Sequence, residues 1–95
     1  MNGGEIYGAN GINAVVGVGI HGANAHFEKR GGIIYGNVVG NKSNLIAIGA
    51  WDGSPFLSTS ILLAYREDSV TNALSITLNS TGDGIASKTG IWNIP

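Results

Sequence analysis

Apolar and polar residues alternate along several short stretches of this chain. Val16, Val18 and Ile20 alternate with Gly17, Gly19 and His21. Ala25 and Phe27 alternate with His26, Glu28 and Arg30, and Leu74, Ile76 and Leu78 with Ser75, Thr77 and Asn79. A period of two residues belongs to a strand with one buried face. Ile61-Leu62-Leu63-Ala64-Tyr65 adds a continuous apolar run bounded by polar residues. No window holds the 3.6-residue period of a helix beyond two turns, and Gly, Asn, Asp and Ser clusters end every run, as turns require. The pattern predicts an all-β chain. It places Val18, Ile20, Phe27, Ile34, Leu74, Ile76 and Leu78 inward, and His26, Glu28, Ser75 and Thr77 outward.

A second regularity is longer. Gly3-Gly4-Glu5-Ile6-Tyr7-Gly8 returns 28 residues later as Gly31-Gly32-Ile33-Ile34-Tyr35-Gly36. Self-similarity at such a period is the mark of stacked solenoid units. Residues 1–49 hold 12 of the 16 glycines, which suits tightly turning coils that approach one another closely. Residues 50–95 hold both prolines and both tryptophans. The expectation is one domain over residues 1–95, with glycine-rich coils in 1–49 and a capping or terminal region in 50–95. A small antiparallel β-sandwich is the alternative, because strand direction is not encoded in alternation.

The segment from Val18 to Asn37, VGIHGANAHFEKRGGIIYGN, resembles one coil of glycine-rich repeats in surface proteins of spirochaetes and gut bacteria. Those coils run as a glycine-flanked strand, a strand containing Phe, then Gly-Gly-x-Ile-x-Gly-Asn. Met1–Gly8 is similar to the end of a preceding coil. Tyr65-Arg66, Leu74–Leu78 and Gly90-Ile91-Trp92 are similar to the segment that closes such arrays. Val16-Gly17-Val18-Gly19 departs from the family's run of three glycines, and Gly53-Ser54-Pro55-Phe56 has no counterpart. The resemblance implies a right-handed parallel β-helix and supplies no catalytic residues.

Charge narrows the function classes. Only 12% of residues are charged and the net charge is −1, so no basic surface exists to hold nucleic acid. There is no cysteine, hence neither a disulfide framework nor a thiolate metal site. The longest apolar runs fall far short of the ~20 residues of a membrane-spanning helix. No secretory leader is visible at Met1-Asn2-Gly3-Gly4, and extracellular or cell-surface localisation is expected from the resemblance alone. Asn41-Lys42-Ser43 and Asn79-Ser80-Thr81 match the glycosylation tripeptide, a pattern common by chance.

Few residues offer chemistry. Gly17-Val18-Gly19-Ile20-His21-Gly22 spells the dinucleotide-binding pattern G-x-G-x-x-G. That fold needs a helix after the third glycine and an acid about 20 residues on for the ribose. The position about 20 residues beyond Gly17 falls near Asn37, and no Asp or Glu lies between Glu28 and Asp52. His21 and His26 are the only histidines, with Glu28 as the one neighbouring carboxylate, so no metal set is complete. Glu67-Asp68 reads as a solvated turn, and Ser43, Ser54 and Ser58 lack a nucleophile signature. No cofactor and no enzymatic activity are expected. Tyr7 and Tyr35 occupy equivalent repeat positions that face outward and form the candidate ligand-binding face, a sugar platform or a structural stack.

The expected role is structural or adhesive, in a chain that joins further copies or further coils through open strand edges within residues 1–20. A carbohydrate-binding module, or an inactive polysaccharide-lyase-like domain, is the alternative. One consequence is direct. Calorimetric titration with NAD or ATP should show no saturable binding; saturable millimolar binding, lost on Gly19→Val, contradicts this reading of the glycine motif.

Overall fold

A computed structural model describes residues 1–8, 15–36, 45–53 and 58–94. Among these, nine strands form three sheets of three. The first sheet holds β1 (Glu5–Tyr7), β4 (Ile33–Tyr35) and β7 (Ser69–Val70), with β4 central. The second holds β2 (Val15–His21), β5 (Leu45–Trp51) and β6 (Ile61–Tyr65), with β5 central. The third holds β3 (His26–Lys29), β8 (Leu74–Leu78) and β9 (Ile85–Gly90), with β8 central.

The duplicated hexapeptide has a direct structural meaning. Glu5, Ile6 and Tyr7 pair in parallel with Ile33, Ile34 and Tyr35, an offset of 28 residues. Gly4 and Gly32 share one left-handed conformation, with φ of 84° and 85°. A Cβ on Gly32 would sit 2.6 Å from the Gly4 carbonyl oxygen, so two passes of the chain meet there too closely for any side chain. β2 likewise pairs in parallel with β5, from Val15↔Leu45 to His21↔Trp51.

The expected right-handed parallel β-helix is nonetheless overturned. Four of the six ladders among the described residues are antiparallel: β3 with β8, β4 with β7, β5 with β6 and β8 with β9. After β5 the chain reverses. β6 runs back along β5, β7 back along β4, and β8 takes the place beside β3 that the second pass of a parallel coil would have filled. The result is a small all-β domain of mixed and antiparallel sheets. It fits the alternative, a β-sandwich-like class, and not a solenoid. The physical reason is that alternation specifies which side chains are buried and leaves strand direction to the connections. The division drawn at residues 49 and 50 also falls inside β5, which is one continuous strand.

The core sits between the sheets. Ile34, Ile48, Ile76 and Leu78 are fully buried, together with Ile20, Leu63, Tyr65, Val70 and Leu74. Of the residues expected inward, Ile20, Ile34, Leu74, Ile76 and Leu78 are buried, while Val18 and Phe27 are half-buried against the same core. His26 is exposed; Glu28, Ser75 and Thr77 are partly so. Alternation breaks in the second sheet, in β6 as well as in β2 and β5. Val16 and Ile46 pack in a second, smaller cluster with Trp51 and Ala64, whereas Ala47 and Ile48 both enter the main core. Gly17 lies at this bend, where a Cβ would meet the Ala47 carbonyl oxygen at 2.8 Å and Ile34 at 3.0 Å. Gly49 is crossed by the Trp51 ring, and no Cβ fits beneath it.

The tripeptide at Asn41, together with Ser43, Ser54 and most of the 53–56 insertion, lies outside the described residues. Truncation tests the packing. Ile34→Ala, at full burial, should cost about 2–5 kcal/mol of stability, and Phe27→Ala, half-buried, about 3 kcal/mol. Gly49→Ala should cost about 1–3 kcal/mol by overpacking the Trp51 ring. Urea unfolding of the three variants checks all three, and a negligible cost at Phe27 would refute the β3 register.

Candidate functional site

Strand alternation in the first sheet turns one row of residues in and the next out. The inward row is Ile6, Ile34 and Val70, and the outward row is Tyr7, Tyr35 and Ser69. The two tyrosine rings stack with centroids 4.6 Å apart and planes 8° from parallel. Their faces are therefore turned along the ladder toward each other, not out to solvent. A sugar platform needs an open ring face. Tyr35 has one face covered by Tyr7. Tyr7 is 66% exposed and keeps one face open on the outer side of β1. Its hydroxyl donates to the Glu5 carboxylate, and this bond is the main reason its ionisation is pushed above the ordinary value.

The open face of Tyr7 belongs to a larger feature. β1, β2 and β3, the first pass of the chain, each form an outermost strand of their sheet. Their inward residues are less covered than the residues beside them. Ile6 is half-buried where its neighbour Ile34 is fully buried; Val18 stands so to Ile48, and Phe27 to Ile76. Met1 closes part of this rim. Its ammonium donates to the Glu28 carbonyl, and its carbonyl accepts from Arg30 N–H, at 2.8 Å each. β2 presents seven residues without a charge. Among the described residues no strand pairs with the outer edge of β2, which carries no charged residue and lies above half-buried apolar side chains.

The other residues singled out in the sequence are dispersed. Gly17 and Gly19 lie within β2, and Gly22, at φ 112°, opens a turn that leads into β3 and not into a helix. His21 ends β2 and His26 begins β3; both are exposed, and His26 Nδ1 lies 2.7 Å from Thr77 Oγ1. Among the described residues no three His, Asp or Glu side chains gather where a metal ion would bind. Glu67 and Asp68 lie in the connection between β6 and β7, with Glu67 accepting from the Asn93 amide. Asn79 is engaged within its own turn, accepting from the N–H groups of Thr81 and Asp83 and donating to the Asp83 carboxylate. The bonds from Thr81 and Asn79 lower the Asp83 pKa.

Lys29 was not singled out by sequence reasoning, and it is the one buried charged residue among those described, at 1% exposure. Its Nζ donates to the Asn72 carbonyl at 2.9 Å. Asn72 in turn donates to the Ile91 carbonyl at 2.7 Å, and Trp92 packs at 5.5 Å against the buried Tyr65 ring. The lysine thus helps hold the chain end over the third sheet. Its signal was present: Lys29 follows Phe27 by two residues and so shares its inward face. A cleft of about 320 Å³ beside it carries Glu28, Arg30, Ser75 and Thr89. Those groups already pair with one another, Arg30 to Glu28 at 2.7 Å and Ser75 to Thr89 at 2.6 Å.

No protein-family model, characterised protein or solved structure matches this chain. No helix among the described residues is long and apolar enough to cross a membrane.

Lys29 yields a pH test. Loss of water around the ammonium lowers its pKa from 10.5. Between the lowered value and 10.5 the unfolded chain binds more protons than the folded one, so this group makes stability rise with pH across that window. The burial of Tyr65 raises its pKa and acts oppositely above about pH 10. Lys29→Met leaves the tyrosine effect in place and removes the lysine's. The stability of the native chain relative to Lys29→Met should therefore improve from pH 7 to 10, as read by urea unfolding at both values. A pH-independent difference would show that the ammonium is not desolvated.

Proposed function

We propose that this chain is a structural or adhesive domain of a bacterial cell-surface protein that assembles through the strand rim of β1, β2 and β3. One observation carries the reading. The first pass of the chain supplies an outermost strand to all three sheets, and its inward side chains Ile6, Val18 and Phe27 are half-buried beside fully buried partners. Strand addition would satisfy edge donors and acceptors and remove that apolar surface from water together. The low charge of the chain opposes such contact little. Placement at a cell surface rests on the resemblance of its glycine-rich segments to surface-protein repeats. The reading assigns the chain no catalytic step.

A second reading, a carbohydrate-binding module or an inactive lyase-like domain, is favoured by a single feature. Tyr7 offers an open aromatic face with the Glu5 carboxylate on its hydroxyl, a pairing that suits a sugar ring and its hydroxyls. The two readings separate experimentally: Tyr7→Ala would abolish binding to an oligosaccharide on the second reading and leave any such interaction absent from the start on the first.

Gly19 is the position at which to test assembly. It is exposed, and a Cβ there meets only Val16 at 3.6 Å and Trp51 at 3.9 Å, so a side chain fits without disturbing the fold. Gly17 would be the wrong choice because its Cβ collides with the Ala47 carbonyl. Gly19→Lys should reduce self-association at least tenfold in light scattering at high micromolar concentration, with an unchanged circular dichroism spectrum. A native chain that stays monomeric there would refute the proposed assembly.

A further inference from the structure

We propose that Asn2 is a self-modifying site, at which the peptide nitrogen of Gly3 displaces the side-chain amide and converts the residue to aspartate and isoaspartate. The reaction needs no partner chain and stands apart from assembly at the rim.

Asn2 and Gly3 are exposed and lie between two anchored points. The Met1 carbonyl accepts from Arg30 N–H at 2.8 Å, and the Gly4 carbonyl from Ile33 N–H at 3.0 Å. Among the described residues neither the Asn2 carboxamide nor the Gly3 N–H makes a hydrogen bond. A Cβ on Gly3 would meet nothing within 4 Å, so no neighbouring atom crowds the approach of its nitrogen to the carboxamide carbon. The fold does not demand glycine at this position. Gly4 holds a left-handed φ of 84°, whereas Gly3 has no positive φ. In the second copy of the hexapeptide the equivalent Gly31 is required, because a Cβ there would sit 2.6 Å from the Asn2 carbonyl oxygen, and the residue before it is Arg30. Asn10-Gly11, the same dipeptide, lies outside the described residues. Asn79 is the contrasting case: its carboxamide accepts from the N–H groups of Thr81 and Asp83 and donates to the Asp83 carboxylate, which holds it within its turn.

The chemistry balances with water alone. The Gly3 nitrogen gives its proton to solvent base and bonds to Asn2 Cγ. The Cγ–Nδ2 bond breaks, and Nδ2 leaves as ammonia from a closed five-membered imide. Water then adds at Cγ, which restores the ordinary chain with Asp at position 2. Addition at the main-chain carbonyl carbon instead leaves Gly3 joined through the side chain, the isoaspartyl link. Either route consumes one water, releases one ammonia and leaves one further carboxylate, so the net charge passes from −1 to −2. The isoaspartyl link also inserts one extra carbon, about 1.5 Å of chain, into the short span between the two anchors. The Met1 and Gly4 carbonyls can then no longer both meet Arg30 and Ile33, and the first pass loosens at its corner against Gly32.

Peptide mapping by mass spectrometry tests the site, since cleavage after Glu5 separates Asn2 from Asn10. During incubation of the 95-residue chain at pH 9, Asn2 should convert at least tenfold faster than Asn79. Equal rates at the two positions overturn the proposal. Gly3→Val places a β-branched side chain in open space, so its circular dichroism should match that of the native chain. It should slow conversion of Asn2 at least tenfold; unchanged conversion shows that the Gly3 nitrogen is not the nucleophile and also overturns the proposal. The purified isoaspartyl chain should lose hydrogen-exchange protection at the amide of Arg30 or Ile33. Protection kept at both overturns the loosening of the corner.

Discussion

Backbone pairing between two consecutive passes of the chain, 28 residues apart, underlies the rest of this structure. That pairing is possible because the corner before each strand is glycine. At Gly4 and Gly32 the backbone adopts a left-handed turn, and a methyl group on Gly32 would overlap the Gly4 carbonyl. A β-branched residue at position 32 would force the passes apart and break the ladder between β1 and β4. With the corner closed, Ile6 falls on Ile34 and Tyr7 on Tyr35, so one row builds the core and the next builds an aromatic stack.

The reversal after β5 determines what the two ends of the molecule become. Strands that run back along the second pass cover its core residues, which is why β5 is buried along its whole length. Among the described residues no further strand covers the first pass. Its apolar residues are half-exposed because they have a neighbouring strand on one side only. The same event therefore leaves, among the described residues, one end of the sheets covered by further strands and the other not. Small domains bury a modest share of their surface, roughly 60–70% at this length.

Lys29 shows how burial and chain termini are linked. A lone ammonium in a core is costly unless bonded. Here its bond to the Asn72 carbonyl also fixes the residue whose amide holds Ile91, beside the contact of Trp92 with Tyr65. The polar group is retained at a point where the final segment must be seated on the sheet.

The sequence by itself determined that β2, β3, β6 and β8 are strands and, for β3 and β8, which of their residues face the core, whereas β5, β7 and β9 carry no two-residue period and were not read from it. Those properties are local: they follow from the two-residue period and from turn-forming residues at its ends. It also determined that Tyr7 and Tyr35 would share a row, because equal spacing within a repeat keeps equal register. It held the clue to Lys29, two residues after Phe27, although a lysine in an inward position invites the assumption of a solvated side chain. Strand direction was beyond it. A segment such as Leu74–Leu78 buries the same three side chains whether it runs parallel or antiparallel to β3, so the period is identical in a β-helix and in this folded-back arrangement. Only the connections of the folded chain chose between them. The facing of the tyrosine rings was also a tertiary matter, since alternation says that a ring points outward and the distance to its neighbour decides whether it lies open or stacked.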